Sequence, residues 1–341
     1  MDLLGAAWMI RDHGESVSAL HLSDDGSLLV GGWDGLLKSW APDGDLIWSV
    51  DCGDRISSIA IDDNHIFLTA GLKMTCVVQG EITWSHALEG SADQVIIHEE
   101  KVVATSSVYD IEHGDFMESA IWTFTTDGEQ LSVERMDEKP WYVASFEGLR
   151  AGLGRPSCGM LVNQKPTELS TESPVTCGIN NSETLLFGHA DGTISKHDGS
   201  NFSKMENAII SMSINQNMVS VADDQGGLEM VTTGGDKLWQ NHGGEVTSQA
   251  IGFSQTCWSG RKGGQTDLLL VYDSKGETLA SAEVSQVLAI VQQGDRVAVG
   301  FEDGSLAIWQ QSLFDRRKEV DVSTTDSHRS DLAAKLRSLR G

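Results

Sequence analysis

Acidic side chains at turns are the most regularly placed chemical groups in this sequence. Asp34, Asp191, Asp223, Asp224, Glu302 and Asp303 each fall in a short Gly-bearing turn between two apolar runs, as in GGWDG (31–35) and FEDG (301–304). Carboxylates recurring at equivalent turns could form a ring that docks a basic peptide or surrounds a cation. Asp before Gly is equally a favoured hairpin former, because its carboxylate accepts from nearby backbone amides. Both readings stand on sequence alone. Two copies of the pattern replace acids with bases, Arg150 and Arg155 in one, Arg261 and Lys262 in another. On the same face these would make local basic patches able to hold a partner's carboxylate or phosphate.

Other chemistry finds little support. The five cysteines, Cys52, Cys76, Cys158, Cys177 and Cys257, form no CxxC pair, so zinc ligation has no spacing to rest on. They read as small buried hydrophobes in a reducing compartment. The ten histidines are scattered singly, and no GxSxG nucleophile elbow or Walker loop occurs. The GRKGGQ run (260–265) has glycines and bases but no loop-to-helix setting for phosphate. No catalytic residue, cofactor or metal is therefore expected. A net charge of −26 repels nucleic acid and anionic membranes and favours a basic protein partner. No run reaches the ~18 apolar residues of a membrane helix. MDLLGAAWMIRD lacks a basic leader region, so a cytoplasmic chain is expected.

The elements that carry these turns repeat. VSALHLS (17–23), SLLVGGW (27–33), LLKSW (36–40) and DLIWSV (45–50) read as four short strands joined by DDG, DG and APDG turns. First strands of later copies begin at Ile56, Ala92, Trp141, Val175, Ile209, Val246 and Val287, at spacings of 34 to 49 residues. Trp40, Trp122, His197, Tyr272 and Trp309 align at the ends of third strands, and Trp84 and Trp239 align with Trp48 in the fourth. Four short strands cannot bury both faces alone, but radial repetition can. The expected fold is all-β: an eight-bladed β-propeller over 1–311. Copy eight has only three strands, and GAAWMIRDHGE (5–15) resembles GDLIWSVDCGD (44–54), so the N-terminal strand is expected to pair beside 305–310 and close the ring.

LLVGGWDGLLKSW and RVAVGFEDGSLAIW (296–309) resemble WD40 repeats. APDGDLIWSV, GEITWSHAL and TGGDKLWQNHG resemble the tryptophan-docking ends of quinoprotein-like (PQQ-like) repeats. The resemblance covers 1–311 and implies the fold and a role as a protein-interaction scaffold. It also implies an alternative, a metal or small molecule held at the central channel. Quinone-binding members carry adjacent cysteines, which this chain lacks, so the docking tryptophans are expected to pack blade on blade.

Three segments depart from the repeat. YDIEHGDFMES (109–119) lengthens copy three and places Tyr109 and Phe116 among acids as candidate contact residues. Copy four is the weakest, with GLRAGLGRPSCG where strand two belongs. If it is no blade, the propeller has seven. From 312 the sequence reads as a polar linker, followed by Leu332, Leu336 and Leu339 at helical spacing with Lys335, Arg337 and Arg340 near the end. Such a tail could dock on a partner or on its own acidic disc. The expected function is a monomeric, non-enzymatic scaffold for protein partners.

Overall fold

The computed structural model describes residues 1–318. Its strands form eight four-stranded antiparallel sheets, the blades of a closed ring. Blade 1 runs Val17–Leu22, Leu28–Gly32, Leu36–Trp40 and Leu46–Asp51, each strand pairing with the next. Blades 2 to 7 repeat this meander, and the first strand of every blade touches the first strands of both neighbours. The first strands therefore line the axis and the fourth form the rim.

Blade 8 is completed from the other end of the chain. Met9–Asp12 pairs with Ser305–Gln310 in the register Met9 to Ile308 and Asp12 to Ser305. This removes the open edge a gap would leave. Copy four is a true blade, so the count is eight. Its second strand is only Leu149–Leu153, and 154–159 is loop. Its outer strands, Met160–Val162 and Lys165–Thr167, have three residues each.

The pairing of first and second strands carries a register shift near its start in every blade, at Val17/Ala19 and Ile56/Ser58 for example. Beyond the shift, the second strand presents a small residue to the next blade. A Cβ added at Gly31 would lie 2.8 Å from Ile56 Cβ, and one at Gly300 would lie 2.3 Å from Val17 Cγ1. Gly188 and Gly260 meet Ile209 and Val287 in the same way. The VGG and VGF of the repeat are thus the sockets for the β-branched residue that opens the next first strand.

A second contact lies at the rim. Trp48 covers Gly80 of blade 2, Trp84 covers Gly128 of blade 3, and Trp239 covers Gly276 of blade 7. Trp84 Nε1 also donates to Thr126 O at 3.0 Å. At the closing seam the sequence likeness misplaces one residue. Met9, not Trp8, sits over Gly44, while Trp8 is 45% exposed. Arg11 Nε donates to the carbonyl of that same Gly44.

The chain ends lock together. Trp309 Nε1 donates to Leu3 O at 2.9 Å, and Trp258, Trp309, Phe253 and Phe314 form one aromatic cluster around them. Phe314 is 1% exposed and belongs to a helix at 311–318. The polar linker expected from 312 is therefore corrected over its first turns, which pack on blades 7 and 8.

Candidate functional site

The acidic turns do share one face, but most of their carboxylates hold the turn itself. Asp34 Oδ1 accepts from Leu36 N, and Asp303 Oδ1 accepts from Ser305 N and Oγ. Asp191 accepts from Thr193 N, Thr193 Oγ1 and Thr171 Oγ1, and its carboxyl is held below the usual range largely by those bonds, against the opposing effect of burial. Asp223 is 4% exposed and accepts from Gln225 N, Gly227 N and Asn207 Nδ2. Asp224 and Glu302 are exposed. These turns join second and third strands, so they lie at least one strand spacing, ~5 Å, outside the strands that line the channel. The acids do not ring the channel mouth. Among the described residues no group of three or more His, Cys, Asp or Glu converges to hold a metal.

The basic patches do not form. Arg150 begins its strand and donates to Phe146 O in the first turn of blade 4, at the opposite end from the acidic turns. Arg155 is on the expected face, 3.4 Å from Asp115 of blade 3. Arg261 turns inward, 2% exposed, and donates through Nη1 to the carbonyls of Gly226 and Gly244. Lys262 is paired with Glu245 at 2.9 Å. Two of these four bases are thus spent on backbone carbonyls.

Tyr109 and Phe116 are brought together. The copy-three insertion is not a loop but a continuation of both strands, Lys101–Asp110 and Asp115–Thr125, of ten and eleven residues. Equivalent strands elsewhere have three to six. The additional residues carry the hairpin ~10–15 Å past the disc face at 3.3 Å each. Tyr109 stands opposite Phe116, their rings edge to face at 5.2 Å. Phe116 meets Trp141 of blade 4 edge to face at 5.6 Å. Lys139 Nζ sits 3.8 Å above Phe116, 4.8 Å from Trp141, and 3.1 Å from Asp93 Oδ1.

This arm leaves Tyr109 53%, Ile111 88% and Met117 44% exposed. Beside it, Phe116, Met117, Pro156, Asp115, Asp137 and Arg155 line a cavity of about 570 Å³. Sequence reasoning missed Lys139 and Trp141. The signal was the KPW run (139–141) opening the blade after an aromatic insertion, where a cation and an indole could meet it. Leu332, Leu336 and Leu339 lie outside the described residues.

Buried nucleophiles serve packing. Ser195 Oγ lies 2.8 Å from His189 Nε2, but both residues are fully buried, and Nδ1 faces Ser173 O. Burial lowers the His189 pKa. Burial also pushes the thiols of Cys177 and Cys257 up to about 12 and that of Cys52 up to about 11. All five thiols are free.

A closed ring of eight four-stranded blades, sealed by an N-terminal strand, defines the class as the eight-bladed β-propeller. No protein-family profile and no curated protein matches the sequence. Solved structures do match the fold. BamB from Moraxella catarrhalis is similar at 13% identity over 89% of this chain and 97% of that one, with a TM-score of 0.69. Saccharomyces cerevisiae Sqt1 is similar at 12% identity over 89% and 98%, also at 0.69. The WD40 β-propeller domain of Doa1 is similar at 12% identity over 89% and 96%, at 0.56. The likeness to WD40-like and BamB-type discs therefore holds in three dimensions, and at these identities it is a likeness of fold.

Proposed function

We propose that this propeller is a non-enzymatic scaffold that binds a protein partner through the blade 3 arm. One observation carries the reading: an aromatic and aliphatic cluster is lifted off the disc on two lengthened strands and braced at its base. Exposed apolar side chains gathered on one projecting hairpin support an interaction site rather than a packing surface. Phe116, Trp141 and Lys139 fix the base, which lowers the entropy lost on binding. Asp110, Glu112, Asp115 and Glu118 flank the cluster, so the matching partner segment is apolar with basic neighbours. Five free thiols fit a reducing, cytoplasmic setting.

The test is a comparative capture with the full chain and a Tyr109→Ser/Ile111→Ser/Met117→Ser variant, read by quantitative mass spectrometry. All three residues are exposed, so the melting temperature should be unchanged. The variant is expected to lose a specific subset of captured proteins, at least tenfold. Equal capture by both chains would refute the reading.

A further inference from the structure

On the opposite side of the ring from the arm, between blades 7 and 8, lies a groove of about 760 Å³. Its apolar lining is Leu4, Ile10, Val284, Phe301 and Ala307, and its charged lining is Asp267, Glu283, Glu302 and Asp303, with no base among the lining residues. Ile10 is 50% exposed, and Trp8 beside it 45%. Both belong to the segment that closes the ring.

From this groove and the course of the chain we infer that residues 329–340 of the same molecule occupy it. Three observations meet here. The first is charge. This segment has Arg329, Lys335, Arg337 and Arg340 against the single acid Asp331, in a chain whose net charge is −26. It meets a groove rimmed by four carboxylates. The second is apolar pattern. Leu332, Leu336 and Leu339 recur at intervals of four and three, which suits one apolar stripe set in a groove.

The third is reach. The helix at 311–318 packs on Phe253 and Trp258 at the other end of the same two blades, and Arg317 Nη1 donates to Ala7 O, three residues from both Leu4 and Ile10 of the groove. Three extended residues span ~10 Å, whereas the chain from 318 to 332 can span ~45–50 Å. That reach is long enough for the contact to be made within one molecule. The site is far from the arm, and the inference does not rest on the scaffold reading.

Zero-length carbodiimide crosslinking of the full chain tests it, because Lys335 is the segment's one amine and the rim is carboxylate. Crosslinks from Lys335 to Glu283, Glu302, Asp303 or Asp267 are expected within single chains. Ile10→Lys, at an exposed position, should keep the melting temperature and cut their yield at least tenfold. Leu332→Ser/Leu336→Ser/Leu339→Ser, which leaves the segment's charge unchanged, should cut it as much, which charge proximity alone would not require. Lys335 crosslinks confined to other acids would overturn the inference. So would crosslinks found only between heavy-isotope and light copies in a mixture, which would assign the groove to a second molecule.

Discussion

At the scale of single residues, burial sets the chemistry. His13 lies at the seam between the closing strand and blade 1, 1% exposed, with neither ring nitrogen hydrogen-bonded and Asp34 3.7 Å away. Its pKa is lowered first by burial and then by Lys38, which outweigh the opposing pull of Asp34 and Asp12. Burial likewise lowers His21 and His189. The unfolded chain takes up protons at these sites near pH 6.5, and the native chain resists until lower pH. Stability is therefore full above pH ~6.5 and falls as pH drops through it, by at most ~1.4 kcal/mol per pH unit for each histidine. Melting scans from pH 7.5 to 5.5 should show this decline, and His13→Phe should flatten it. A variant with the wild-type slope would show that His13 does not titrate against folding. The sequence shows ten histidines scattered singly, but it could not say which were enclosed. That depends on the blade next door.

At the scale of elements, the repeat was legible because its spacing is physical. Where the next blade opens with Ile or Val, the second strand needs a small residue opposite it, so VGG and VGF recur where the sockets are. The rim contact was legible too, as Trp following Gly. What stayed hidden was direction. Arg150 and Arg261 looked equivalent along the chain, yet one sits at the opposite end of its strand and the other turns into the blade interface. The arm was visible as an insertion, but Lys139 and Trp141 come from the next blade, 23 and 25 residues beyond Phe116. Trp84 supplies a test of the rim contact. It packs on Gly128, whose φ of +91° suits glycine, and a Cβ there would sit 2.7 Å from the indole. Gly128→Ala and Trp84→Ala should each destabilise, by roughly 2 and 3 kcal/mol. Because they act on one contact, the double variant should cost clearly less than the sum. Additive costs in denaturant unfolding would show that the two do not act together.

At the scale of the molecule, the ring is held shut by its two ends, and the boundary of the fold follows from that. The composition and the three-stranded copy eight point to closure by the N-terminal strand, and Met9–Asp12 provides it. They do not reveal that the C-terminal side contributes as well, because SLFDRRK shows no strand period and one phenylalanine among polar residues is a faint signal. Phe314 nonetheless packs on Phe253 and Trp258, in the cluster where Trp309 holds Leu3. A chain ending at 318 keeps Phe314, whereas one ending at 311 loses this fully buried phenylalanine and its cover over Trp258. The expected loss for the shorter chain is ~3–5 kcal/mol, comparable to Phe314→Ala. In a ring this loss falls on the closing blade, so the N-terminal strand should also loosen. Hydrogen exchange should then rise at Met9–Asp12 in the chain ending at 311 and in Phe314→Ala, well beyond any rise in the chain ending at 318, which keeps Phe314. Equal protection in all three would mean that the closing strand holds the ring without help from the C-terminal helix.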